Sequence, residues 1–319
     1  MVKREIDKSL IRIPARRGRT AWGAVLHAVI GVVLVPPFWL LALRAKVPGL
    51  GFRAWCVKLG LRALWGRRRL SLYAAFHLLF MPLESTRYFE LDFALSAAKA
   101  RTIRRYLDVS SPRLLPVAIV AADPLVVADL INPNPKDLAE TAGFVALVAA
   151  EGRCNLHQCL VTDAPFAAQT FDLITSISVL EHIPDDLAAM RKIWDLLKPA
   201  GALVLTVPCR ATALDQYIDR DEWGLLAESP DGYVFWQRHY DQEMLERNIF
   251  SVTGLPTKTV IYGEKVAGFL AENSVQKRTD PKYPYWREPY MMASEFQYFE
   301  RLERLPGEGV VAFIFEKPA

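Results

Sequence analysis

The segment FDLITSISVLEHIPDDLAAMRKIWDLLKPAGALVLTVP, residues 171–208, decides the architecture. Residues 171–176 form an apolar run short enough to be a buried strand. Asp185 then caps an amphipathic helix over 185–197. Lys198, Pro199, Ala200 and Gly201 supply a turn, and residues 202–207 return as a second apolar strand. Strand, helix and strand in that order are the unit of a parallel sheet with helical crossovers.

The alternation extends upstream to Ile103. Strands are predicted over 106–109 and 125–131, helices over 113–121 and 136–150, and a third strand over 159–161 ending at Asp163. The fold class is therefore α/β. Ligands in such sheets bind beyond the carboxyl ends of the strands, so the residues that follow each strand are the candidate site.

The 171–208 segment resembles the central stretch of class I S-adenosylmethionine-dependent methyltransferases, in particular those with a type 11-like domain. An FDL strand, a VLEH segment, an amphipathic helix and a KPAG turn occur in the family's order. NPNPKDL at 132–138 resembles the turn after the family's second strand, TDAPF at 162–166 the loop after its third, and GVVAFIFEKP at 309–318 its last strand. The resemblance covers about 210 residues and implies a Rossmann-like sheet with helices on both faces. It also implies S-adenosylmethionine as cofactor. A methyltransferase domain is expected over 96–319, preceded by a helical, membrane-associating region over 1–95.

The resemblance places cofactor-binding residues at the strand ends. It implies Asp108 beside the first strand, Asn132 opposite the ribose hydroxyls, Asp163 accepting from the adenine amino group, and Ala164 offering a backbone contact to the ring. A carboxylate suits both partners because it is a pure acceptor. Asn132 stands where the family has an acidic residue, and Asp129 would substitute if the second strand ended early. The first loop departs further. The family has a glycine-rich turn, and this chain reads Asp108, Val109, Ser110, Ser111, Pro112, Arg113, Leu114. Glycine permits positive φ and close backbone approach. Two readings stay open: a remodelled loop in which the Ser110 and Ser111 hydroxyls replace backbone contacts, or a non-catalytic subunit that keeps the fold as a binding or assembly module with a protein partner. A nicotinamide-dependent dehydrogenase would need its own glycine fingerprint, which is missing.

Glu181 and His182 follow the fourth strand, on the acceptor side. They are the catalytic candidates. A His with a near-neutral pKa suits a general base that takes a proton from an acceptor hydroxyl, and His182 would equally fix the loop into the Asp185 helix, while Glu181 reads rather as a residue that holds that loop or positions the cofactor. Two aromatic segments read either as packing or as an apolar acceptor pocket. One is 215–245, with Tyr217, Trp223, Tyr233, Phe235, Trp236, His239 and Tyr240. The other is 281–299, with Tyr283, Tyr285, Trp286, Tyr290, Met291 and Met292.

The first seventy residues are of another kind. They carry fifteen Lys and Arg against Glu5 and Asp7, a balance of +13, whereas the whole chain of 319 residues is +4 and the body about −9. Between Arg19 and Arg44 lie twenty-four residues without a charge, long enough to bury in a bilayer. Pro36 and Pro37 predict a break or kink. Arg16, Arg17 and Arg19 precede the run and Arg44, Lys46 and Arg53 follow it, so both flanks prefer the cytoplasmic side. A re-entrant or kinked monotopic helix satisfies this, and a cleaved signal peptide is disfavoured by the charged leader.

Phe52, Trp55, Cys56, Leu59 and Ala63 then recur at helical spacing among Lys58, Arg62 and the run Arg67, Arg68, Arg69. This reads as an interfacial helix or as one packed on the main domain. The apolar run 70–83, with His77, is too short to span. Membrane lipids are the expected partner of residues 20–83. Nucleic acid is not expected, because the cations bracket apolar runs and do not line a polar, aromatic groove. Cys56, Cys154, Cys159 and Cys209 show neither a CxxC pair nor metal-ligand spacing, so no metal is called for and a reducing compartment is expected. The function expected is transfer of a methyl group to a small apolar or lipid-linked acceptor by an enzyme held at the cytoplasmic face of a membrane.

Overall fold

The computed structural model describes residues 6–14, 21–65, 70–221, 224 and 232–319. The chain enters through a strand, β1 (Asp7–Ile11), and four helices, α1 (Ala21–Arg44), α2 (Leu50–Trp65), α3 (Leu72–Phe80) and α4 (Arg87–Lys99). The alternation follows with β2 (Arg105–Val109), α5 (Leu114–Ala122), β3 (Val127–Ile131), α6 (Pro135–Leu147), β4 (Cys154–His157), β5 (Phe171–Ile177), α7 (Asp186–Leu196) and β6 (Leu197–Cys209). Next come β7 (Leu214–Ile218), β8 (Val234–His239), and α8 (Gln242–Leu245) joined through a π turn to α9 (Ser251–Thr253). The chain ends with β9 (Lys258–Glu264), α10 (Phe269–Thr279), α11 (Glu288–Ser294), β10 (Phe296–Phe299) and β11 (Gly309–Glu316).

Eight strands form the central sheet in the order β10-β9-β11-β6-β5-β2-β3-β4. The five from β6 to β4 are parallel, and β11, β9 and β10 each run antiparallel to the neighbour before them. The chain builds outward from β2 to β4, then crosses back to set β5 on the other side of β2. The carboxyl ends of β2 and β5 therefore diverge into loops that leave in opposite directions, which opens the crevice where this class of sheet binds ligands. The expected Rossmann-like architecture is what the chain adopts.

One strand differs from expectation. The third parallel strand is Cys154–His157, paired with Ala128–Ile131, while Val161–Asp163 is a 3₁₀ turn. The apolar triplet at 159–161 looked more strand-like than the half-polar CNLH. Edge position decides: β4 has only one neighbour and presents Asn155 to solvent, while Val161 turns into the core.

The first helices are part of the same body. One hydrophobic cluster runs from Val47, Phe52, Cys56 and Leu59 through Phe89 and Ala94 of α4 to Tyr106 and Val204 of the sheet. The apolar stripe of α2 is thus covered by protein, with Phe52, Cys56, Leu59 and Ala63 buried, and does not enter a headgroup boundary. Arg53 is also inside, donating to Tyr88 Oη at 2.7 Å and to the Phe80 carbonyl at 3.0 Å. Helical period reveals an apolar face and says nothing of what covers it.

Helix α1 corrects a second expectation, because it runs unbroken through Pro36 and Pro37. Both proline rings lie on its exposed side. The opposite stripe of His27, Gly31, Val35 and Ala42 is buried, so docking holds the helix on either side of the prolines. His27 packs on Tyr285 and Trp286 at ring separations of 5.4 and 4.9 Å, and Val35 joins Tyr283 and Tyr285 in a small core. The 281–299 aromatics therefore cover α1. A small second sheet, β1-β7-β8, binds the segment before α1 to the main body, with β1 parallel to β7. The clusters Arg16, Arg17, Arg19 and Arg67, Arg68, Arg69, and Trp223, lie outside the described residues.

Gly31 makes the close approach of α1 possible: a Cβ there would sit 1.8 Å from Tyr285 Oη. Tyr285 is walled in by His27, Phe76 and Trp286 and has little room to retreat. Gly31→Ala should cost about 1–3 kcal/mol. Hydrogen exchange should accelerate in α1 and α11 while β2 and β5 stay protected; uniform loss of protection would contradict this local docking.

Candidate functional site

The switch point is stitched by one buried carboxylate. Asp108 Oδ1 accepts from Tyr106 Oη at 3.1 Å and from Thr175 Oγ1 at 2.7 Å, and Oδ2 accepts from the Ser111 amide at 3.1 Å. Tyr106 and Asp108 lie on β2 and Thr175 on β5, with Asp108 directly opposite Thr175. Burial pushes the Asp108 carboxyl up to about 6 against the pull of these donors. Its bonds lie within the protein, so it shapes the first loop.

That loop shows how the chain manages without glycine. Ser110 adopts φ +50°, the left-handed region that favours glycine. Its amide and hydroxyl both donate to the Ile131 carbonyl at 3.0 Å. Such a conformation costs on the order of 1 kcal/mol for a residue with a Cβ, and the two bonds to β3 hold it. Ser111 Oγ accepts from the Ile177 amide at 3.1 Å, tying the first loop to the end of β5. The two hydroxyls expected to face a cofactor thus brace the loop.

Asn132 follows β3 directly, and its Oδ1 accepts from the Asn134 amide at 2.8 Å. Asn134 in turn caps α6. Asp129 does not substitute for it. β3 runs on to Ile131, and Asp129 is engaged within the sheet by Arg105 at 2.8 Å, Asn155 at 3.1 Å and His157 at 2.9 Å. Asp163 ends the 3₁₀ turn with its side chain exposed, and Ala164 beside it is buried. The Ala164 amide closes that turn on the Val161 carbonyl at 3.3 Å.

Beyond β5 the chain turns sharply at Ser178, which also has a positive φ of +48°, and enters a 3₁₀ turn over Leu180–His182. His182 Nδ1 lies 2.6 Å from the Trp236 carbonyl. A carbonyl only accepts, so Nδ1 carries the proton and Nε2 is the acceptor nitrogen. Burial pushes the imidazole down to about 4, not near neutrality as the sequence suggested, which makes it a weak base. Glu181 is 2 % exposed, its Oε1 is 3.8 Å from His182 Nε2, and its Oε2 has no hydrogen-bond partner among the described residues. Burial raises its carboxyl to about 8.

The sequence reading missed a second buried carboxylate here. Glu90 of α4 is 0 % exposed and reaches the ends of β5 and β6. It accepts from Ser178 Oγ, from Thr206 Oγ1 at 2.8 Å, from Thr86 Oγ1 at 3.2 Å and from Arg87 Nη1 at 3.1 Å. A signal existed: Glu90 shares the helix face of Phe93, Ala94 and Ala97, where a charge is out of place unless it is paired. Of the two aromatic segments, 215–245 contributes Trp236 to this site, and Tyr240 of the same segment bonds Asp186 at the start of α7 at 2.8 Å.

Residues 105–253 match a family model described as a methyltransferase domain. The chain is 30% identical over 122 residues to the ubiquinone biosynthesis O-methyltransferase of Vibrio vulnificus strain YJ016, covering 38% of this chain and 51% of that protein. It is 31% identical over 133 residues to the enzyme of the same name from Xanthomonas campestris pv. campestris strain B100, covering 41% and 54%. The chain thus spans about half the length of the curated relatives it matches. Among solved structures the MccD protein shares the fold, with a TM-score of 0.50 at 10% identity over 73% of this chain and 99% of that one.

Glu181 gives a pH dependence with a definite sign. Its carboxyl is raised from an ordinary 4.5 to about 8, so the folded protein holds this proton more tightly than the unfolded chain does. The stabilisation is present below the ordinary value and is lost as pH rises through about 8. Glu181→Gln does not titrate. Between pH 5 and pH 9 its stability relative to wild type should rise by on the order of 3–5 kcal/mol, read by chemical denaturation. A constant difference across that range would mean that Glu181 is not buried as described.

Proposed function

The chain carries a methyltransferase domain of the class I, S-adenosylmethionine-dependent family, and we propose that it transfers a methyl group from S-adenosylmethionine to a hydroxyl of a small apolar or lipid-linked acceptor at a membrane surface. The observation that carries this reading is the left-handed turn at Ser110. Where the family uses glycine, this chain keeps the backbone conformation without it, at the point where the strand order reverses. That favours a working site over a subunit that has merely retained the fold.

The residues present fit the cofactor. In this reading Asn132 would meet the ribose hydroxyls, the exposed Asp163 would accept from the adenine amine, and Ala164 would border the ring. Asp108, Ser110 and Ser111 hold the first loop in shape. When bound, the cofactor supplies an electrophilic methyl group on a sulfonium. The protein's task is then to hold the acceptor oxygen in line with it, and alignment carries much of the rate. The names of the Vibrio and Xanthomonas relatives support a hydroxyl acceptor.

The membrane reading draws on α1. Val25, Leu26, Val29, Val32, Val33, Leu40 and Leu43 are exposed along one side of the helix, with Trp22 at its start. Trp65, Leu72 and Tyr73, at the facing ends of α2 and α3, are exposed as well. A contiguous apolar surface of this extent fits a bilayer. At about 36 Å the helix is long enough to span. Yet β1 before it and α2 after it both attach to the same domain. An in-plane, monotopic helix satisfies both facts and keeps both flanks and the catalytic domain on the cytoplasmic side.

Calorimetric titration with S-adenosylmethionine should give micromolar binding to the full chain, and Asp163→Ala should weaken it about tenfold, the loss of one hydrogen bond. Absence of binding to wild type would leave the binding-module reading. Separately, Val29→Asp with Val33→Asp should leave the fold intact, because both sites are exposed, and abolish flotation with anionic phosphatidylglycerol vesicles. Flotation equal to wild type would remove α1 as the membrane contact.

A further inference from the structure

The acceptor side of the sheet holds more acid than base. Glu90 and Glu181 are both buried at the ends of β5 and β6, and Ser178 lies between them. Their environments are unequal. Glu90 is surrounded by donors: three hydroxyls and the Arg87 guanidinium. Glu181 Oε2 has no partner among the described residues and lies on the turn that leads from β5 towards α7. His182 on the same turn is fixed by the Trp236 carbonyl and is a weak base. The groups that face Glu181 are Arg87 and Glu90 from α4, the Ser178 hydroxyl, its own amide and His182 from its own turn, and Tyr240 following β8, with His239 acting on His182.

We propose that Glu181, and not His182, takes the proton of the acceptor hydroxyl, that the positive charge of the bound cofactor is what frees Glu181 to do so, and that Glu90 is a positioning residue for it. The assignment rests on the methyl-transfer reading above. In the step, the acceptor oxygen forms a bond to the methyl carbon, the carbon–sulfur bond breaks with its electron pair returning to sulfur, and the hydroxyl proton passes to Glu181 Oε2. Glu181 must therefore be ionised beforehand. Without cofactor its proton is retained near neutral pH, chiefly because the carboxylate would be buried and to a lesser degree because Glu90 lies near it. A cation arriving at the strand ends favours the charged form, typically by 1–3 pH units for a near neighbour. Ser111, which binds the Ile177 amide, joins the cofactor loop to this turn.

The consequence is a proton expelled when the charged cofactor binds, and not when its neutral product binds. The test is calorimetry on the full chain near pH 7.5, in two buffers of different ionisation enthalpy, with S-adenosylmethionine and with S-adenosylhomocysteine. On the order of half a proton should leave with S-adenosylmethionine and close to none with S-adenosylhomocysteine. Glu181→Gln should bind both and lose the difference. In Glu90→Gln a lesser contribution to the raised Glu181 carboxyl is removed while its burial remains, so the release should persist and move to lower pH. Equal proton counts for the two ligands in wild type, or a difference that survives in Glu181→Gln, would overturn the assignment while leaving the methyl-transfer reading in place. Release at an unchanged pH in Glu90→Gln would overturn the role of Glu90. No heat with either ligand would overturn the methyl-transfer reading itself, and the assignment with it.

Discussion

The carboxylate of Asp108 is the contact on which the site depends. It sits where two parallel strands part company, and it accepts from both of them and from the loop that follows the first. A buried charge is costly unless it is hydrogen-bonded on every side. Here the requirement becomes a constraint: β2, β5 and Ser111 must meet at one geometry or the carboxylate is left short of donors. The left-handed turn at Ser110, the bond from Ile177 to Ser111 and the sharp exit at Ser178 follow from that meeting point. A glycine loop reaches similar shapes by freedom of the backbone, whereas this chain reaches them by side-chain restraint.

The parallel strands were legible because each is buried on both faces and reads as a short apolar run. Phe171–Ile177 and Val127–Ile131 announce themselves in this way. β4 did not, because an edge strand with Asn155 facing solvent has no such run to show. The site was legible only in outline. Residue types and order located Asp163, Asn132, Glu181 and His182 beyond strand ends, but hydrogen-bond partners decide what each does. Ser110 and Ser111 face inward, Asp129 is spent on Arg105 and His157, and the chemistry at His182 is weakened by its surroundings. Glu90 comes from a helix far from the motif in sequence, and topology alone brings it to Ser178 and Thr206.

The helices ahead of the domain show a related limit. α1 is uncharged up to Arg44 while α2 carries Arg53, Lys58 and Arg62 within it, yet each offers an apolar face that sequence alone could assign to lipid. α2 turns Phe52, Cys56 and Leu59 into the protein and even draws Arg53 in with them, while α1 buries a single stripe and leaves the greater part of its surface bare. Pro36 and Pro37 forecast a break because proline removes backbone donors, yet contacts on both sides of them keep the helix continuous. Packing against a rigid partner overrides the local preference.

The docking partner of α1 lies near the other end of the chain. Gly31 and Val35 fit under Tyr285 and Tyr283, some 250 residues later, and β1 waits for β7. At a synthesis rate of about 5–20 residues per second, roughly 12–50 s pass between the emergence of α1 and that of the surface that covers its inner stripe. During that interval α1 has only its neighbours α2 and α3 to rest on, through contacts such as Arg53 over Trp39. The C-terminal surface then closes onto a helix already made. Order of synthesis thus makes the C-terminal aromatics the last clasp on the inner stripe of α1.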